Sequence, residues 1–136
     1  MIQIIAGKKG TGKTKRLIDL TNATAREAVH DVIFLDDDNR YMYDVDHKVR
    51  FINAEDYAIH TTDMFIGFVC GILSSNYDVG TIFVDAFLKL SRLDLAKSEP
   101  VVRLLATLGA KQNVDFVLSV SADPEELPDF MKPFVI

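Results

Sequence analysis

Eight residues constrain this chain more than any others: Gly7, Lys8, Lys9, Gly10, Thr11, Gly12, Lys13 and Thr14. An apolar run, Ile2–Ala6, precedes them. Leu17, Ile18, Leu20 and Ala25 follow near helical spacing, which predicts a helix from Lys13 to about Ala28. A short buried strand must therefore turn into a helix through a loop with three glycines. Glycine permits the sharp bends that such a connection needs.

The octapeptide fits the spacing G-x-x-x-x-G-K-[ST]. Its physics favours a polyphosphate. Free amide N–H groups of the loop point inward, and the helix N-terminus adds partial positive charge. Lys13 is placed to reach the outer phosphates, and the Thr14 hydroxyl to ligate Mg²⁺. Lys8, Lys9 and Thr11 fill the variable positions; the lysines raise the local positive potential. The expected ligand is a nucleoside triphosphate with Mg²⁺.

Downstream, Val32–Leu35 reads as a second buried strand, closed by Asp36, Asp37, Asp38 and Asn39. Alternation of Tyr41, Tyr43 and Val45, then Val49 and Phe51, fits a small hairpin around Asp46–Lys48. Asn53 has the features of an N-cap for a helix running to about Leu73. Thr81–Asp85 reads as a third strand, Phe87–Leu90 as a short helix, and Ser98 as the cap of a longer one. Asp115–Val120 is a fourth strand. Asp123-Pro124 resembles another helix start, and Phe134–Ile136 a short last strand. The strands are near-continuous apolar runs alternating with helices, the pattern of a parallel sheet covered on both faces.

The 136 residues suit one domain, spanning 1–136, with no linker or repeat. A net charge of −5 without a basic cluster does not indicate a nucleic-acid partner. One cysteine, Cys70, excludes an internal disulfide and agrees with a reducing compartment. No apolar run spans a bilayer, and no leader pattern follows Met1, so a cytoplasmic location is expected. His30, His47 and His60 lack ligand spacing. Tyr41 and Tyr43 read as packing residues, and Phe65, Phe68, Val69 and Ile72 as core or, at an edge, a subunit interface.

Thr81-Ile82-Phe83-Val84-Asp85 resembles a Walker B strand, whose acid holds a Mg²⁺-bound water beside the phosphate loop. With the loop, it makes the chain resemble P-loop NTPases, most closely a bare RecA-like core. The resemblance implies an α/β three-layer sandwich with a mainly parallel sheet of about five strands in the order 5-1-4-3-2. It also implies ATP as the default nucleotide, since the guanine motif N-K-x-D is missing. Thr14 and Asp85 become the metal ligands, and Lys13 and Asp85 catalytic residues. Many relatives place Glu after this Asp; here Ala86 stands there. In RecA-like cores the catalytic acid can instead end the second strand, the place of Asp36 and Asp37. A polar sensor ends the fourth strand, the place of Ser119 or Ser121.

These features imply a weak or partner-activated ATPase, with a homo-oligomer or protein partner supplying an arginine. A small-molecule or nucleoside kinase is one rival, for which Asp36–Arg40 would contact the acceptor. Arg92 and Arg103 are too far apart in the sequence for a kinase lid and read as surface charges. A non-catalytic nucleotide-binding adaptor is the other rival, motivated by Ala86.

Overall fold

The structure, a computed structural model, describes residues 1–136. Its strands are β1 (Ile2–Gly7), β2 (Asp31–Asp36), β3 (Val49–Asn53), β4 (Val79–Val84) and β5 (Asp115–Ser121). Its helices are α1 (Lys13–Glu27), α2 (Thr62–Ser75), α3 (Phe87–Leu90) and α4 (Glu99–Gln112). Short 3₁₀ turns occupy much of the remainder. The five strands form one sheet in the order β1-β5-β4-β2-β3, with every neighbouring pair parallel.

Successive residues of a strand point to opposite faces, so burying both faces demands apolar side chains throughout. Val32 and Phe34 of β2 pack with Ile5, Phe83 and Val117 against Leu17, Ile18 and Ala25 of α1. Ile33 and Leu35 pack on the other face with Ile82, Val84 and Leu118, where α2 contributes Phe65 and Val69 and α4 contributes Leu105. The result is the expected three-layer α/β sandwich.

The strand order differs from the expected 5-1-4-3-2 at the two edges. Residues 134–136 do not add a full strand beside β1. Val135 makes a single parallel bridge with Ile4: the Ile136 amide donates to Ile4 O at 2.9 Å, but the Phe134 amide, the next ladder donor, is spent on Met131 O in the 3₁₀ turn Lys132–Phe134. The fifth strand is instead β3, at the far edge beside β2.

No hairpin forms over residues 40–52. Met42–Asp44 is one 3₁₀ turn, and β3 pairs only with β2, in parallel. Two forces override the alternating pattern. Val45 and Val49 bury themselves in the layer under α1. Asn22 of α1 grips the intervening loop, donating to Asp44 O at 3.0 Å and accepting from Asp46 N at 2.8 Å. Tyr41 packs there, whereas Tyr43 is 90% exposed.

The helix expected from Asn53 to Leu73 is two pieces. Asn53 caps only the 3₁₀ turn Ala54–Tyr57, Ala58 turns left-handed (φ 54°), and Thr61 begins α2 by accepting from Met64 N at 3.1 Å. The start at Asp123-Pro124 likewise yields one 3₁₀ turn, Pro124–Glu126, and not a helix. Ser98 precedes α4, but its hydroxyl donates back to Leu95 O at 2.7 Å. Phe65 and Val69 are core, and Phe68 and Ile72 half-buried. Cys70 is also half-buried.

Helix α4 ends tightly against β5. Asn113 takes a left-handed conformation, and a Cβ at Gly109 would lie 2.5 Å from the Val114 carbonyl. Helix propensity alone would make Gly109→Ala stabilising by about 1 kcal/mol. Steric crowding reverses the sign: we expect a loss of about 1–3 kcal/mol in urea unfolding.

Candidate functional site

A parallel sheet brings the carboxyl ends of its strands to one edge. Here that edge gathers the loop after β1, Asp36 of β2, Asp85 after β4 and Ser121 of β5. Gly10 and Gly12 both have φ of +85°, and Gly12 precedes α1 without any side-chain cap. Thr11 closes the loop on itself: its amide reaches Lys8 O at 3.2 Å and its hydroxyl the same oxygen at 2.6 Å. A Cβ at Gly7 would run into that hydroxyl. The amides of Lys9, Gly10, Gly12, Lys13 and Thr14 donate to no acceptor in the chain. The first turn of α1 carries no acid to neutralise them. Such an array is suited to an anion. Lys13 adds a full charge, its ammonium 3.2 Å from Lys8 O.

Asp85 stands next to this loop and is 6% exposed. Its Oδ2 accepts from the Thr14 hydroxyl at 3.0 Å and its Oδ1 from the Ser119 hydroxyl at 2.6 Å. The amide of Ala86, a left-handed residue (φ 51°), donates to Ser119 Oγ at 2.8 Å. Thr14 and Asp85 thus present a hydroxyl and a carboxylate side by side, a hard-oxygen pair that suits Mg²⁺.

Asp36 is 2% exposed. Its Oδ1 accepts from Asp37 N at 2.8 Å, and its Oδ2 has no partner. Burial, the neighbouring Asp37 carboxyl and the charge of Asp85 push its pKa up to about 8, against the lowering pull of the Asp37 amide. Asp37 behaves oppositely. Burial pushes it up, but the hydrogen bond with Asp36 and the Lys89 ammonium at 2.5 Å hold it below the ordinary carboxylate value. Asp38 pairs with Arg40 at 3.1 Å, and the Arg40 guanidinium lies 5.7 Å from the Tyr41 ring centre.

Two clefts share the Thr14–Asp85 corner. The larger, about 780 Å³, runs from Gly10, Lys13 and Thr14 along α1 to Arg40 and Asp44. The smaller, about 460 Å³, runs from the same corner past Asp36 to Leu88 and Lys89. No protein-family model matches this chain, and no curated protein matches it. The site must therefore be read from its own geometry.

The structure brings together the loop residues Gly7–Thr14 with Asp85, Asp36 and Asp37. Lys9 lines both clefts, while Lys8 leans 3.7 Å from Asp123. Ser119 is there too, but its single proton goes to Asp85; Ser121 is the exposed serine that lines both clefts. Arg92 donates to Ile59 O and Arg103 pairs with Glu99, so neither lines these clefts. Sequence reasoning does not single out Lys89, because only the pairing of β2 with β4 carries α3 to Asp37.

The two shifted acids give a pH dependence. In the folded chain Asp36 keeps its proton to about pH 8, against 3.8 for the ordinary group. Between those values the native state binds more protons than the unfolded state, so stability falls as pH rises. The depressed value of Asp37 contributes in the other direction, and only below its ordinary value of 3.8. Asp36→Asn is expected to flatten the decline between about pH 4 and 8, as read by urea titrations at the two ends of that window.

Proposed function

We propose that this protein is a P-loop nucleotide-binding protein that takes a nucleoside triphosphate with Mg²⁺, ATP by default, and transfers its terminal phosphoryl group to water slowly or on activation. The observation that carries the reading is the unpaired amide array before α1, with Lys13 above it and Thr14 against Asp85.

The loop amides bind phosphate oxygens and orient the chain of phosphates. Lys13 can exchange its single carbonyl contact for phosphate oxygens, a charge-assisted bond. Thr14 and Asp85 would hold a Mg²⁺, which would supply charge neutralisation at the outer phosphates. Asp36 lines the smaller cleft beside Asp85, and because it keeps its proton to about pH 8 it would meet a water as a hydrogen-bond donor and not as a base. Asp37 is tied to Lys89 and acts through Asp36. Ala86 brings no carboxylate, which agrees with slow hydrolysis. Arg40 is the one arginine lining either cleft, beside Lys9, Lys13, Lys15 and Lys89, so a second arginine would come from an activating partner or another copy of the chain. No helix is long and apolar enough to cross a membrane.

A second reading, phosphoryl transfer to a small acceptor, is favoured by one observation: a 460 Å³ cleft opens beyond Asp36. That volume lies within the usual range for small-molecule sites. Labelled ATP distinguishes the two. Label released only as inorganic phosphate supports hydrolysis, and label captured on a hydroxyl compound supports the kinase. The non-catalytic reading is favoured by no distance or contact in the site.

Lys13→Ala should leave the melting curve unchanged and weaken ATP binding roughly 10- to 100-fold in calorimetry, the loss of one charge-assisted bond worth about 1.5–3 kcal/mol. Unchanged affinity would remove the phosphate-loop assignment.

A further inference from the structure

Asp85 has two carboxylate oxygens, and one of them is taken by a side chain from the neighbouring strand. Ser119, 1% exposed, donates to Oδ1 at 2.6 Å and accepts from the Ala86 amide at 2.8 Å. A hydroxyl has one proton to give. That proton is spent inside the protein.

The geometry points to Ser119 as a positioning residue that locks the Asp85 carboxylate so that Oδ2 alone is presented to Thr14 and to a Mg²⁺ held beside it. The terminal torsion of an aspartate is broad and roughly two-fold. An unrestrained carboxylate would exchange its oxygens or swing away from Thr14. The short bond to Ser119 fixes one oxygen, and the Ala86 amide polarises the same hydroxyl from behind, strengthening the bond to Asp85.

The backbone is arranged for this contact at a cost. Val84 pairs with Leu118 in the β4–β5 ladder, so Asp85 and Ser119 each stand one step beyond it, side by side. Ala86 then turns left-handed, a conformation that costs a non-glycine residue roughly 1–2 kcal/mol. The turn ends the strand there and leads into α3, while the Ala86 amide donates to Ser119. A strained residue held next to an acid in a cleft marks a place where orientation is fixed. This role differs from a sensor that touches the terminal phosphate: Ser119 acts only through Asp85.

The inference rests on the proposed reading that Thr14 and Asp85 hold Mg²⁺. Its test is calorimetry with a non-hydrolysable ATP analogue, titrated over Mg²⁺ and in chelator, on wild type, Ser119→Ala and Ser119→Cys. Ser119→Ala should need roughly ten-fold or more Mg²⁺ for half-maximal enhancement of binding, while its affinity in chelator stays within about two-fold of wild type. Ser119→Cys, with a weak S–H donor, should fall between. A thermal melt checks folding, and if the alanine variant is unfolded the cysteine variant carries the comparison. Wild-type Mg²⁺ dependence in a folded variant, or equal loss with and without the metal, would overturn the positioning role. Wild-type protein that ignores the analogue, or binds it indifferently to Mg²⁺, would overturn the underlying reading and this inference with it.

Discussion

A carboxylate enclosed between strands and a helix must be fully hydrogen-bonded or give up its charge. Asp85 has one hydrogen-bond donor on each oxygen. Thr14 reaches it from the start of α1 and Ser119 from β5, so one side chain links three elements at the edge of the sheet. Asp36, one strand away, meets the second condition. With one oxygen bare and a like charge nearby, it keeps its proton. The two acids look alike in composition and differ because their neighbours differ.

Strand order gives that contrast its setting. β5 lies between β1 and β4, so Asp85 faces the loop across one intervening strand and has Ser119 at its shoulder. β2 lies on the far side of β4, which sets Asp36 deeper along the same edge. Parallel pairing then sends every loop after these strands toward one crevice, the usual place for ligands in open α/β sheets. The clefts arise from connection geometry, with few apolar side chains lining them.

Much of this was legible in the residues. The octapeptide and the run Thr81–Asp85 placed two strands, one helix and the corner where they meet, because local chemistry decides glycine loops and buried apolar runs. What escaped were features set by tertiary contact. The 40–52 segment carries a strand-like alternation, yet Asn22 and the burial of Val45 and Val49 hold it as a loop leading into a parallel edge strand. The break at Ala58 has no glycine to announce it. Ser119 and Ser121 are equivalent as letters; the β4–β5 register gives one to Asp85 and leaves the other in the clefts. Asp36 and Asp37 separate only because Lys89 reaches one of them.

The grip of Asn22 on residues 44–46 has a mechanical side. Nine residue steps along one helix carry Lys13 to Asn22, a span of about 13 Å at the usual rise. The glycine-loop end of α1 and the segment carrying Arg40 and Tyr41 are therefore mounted on a single rod. The floor of the larger cleft and the segment bounding its far end thus share one support, and a substitution that displaces α1 displaces both together.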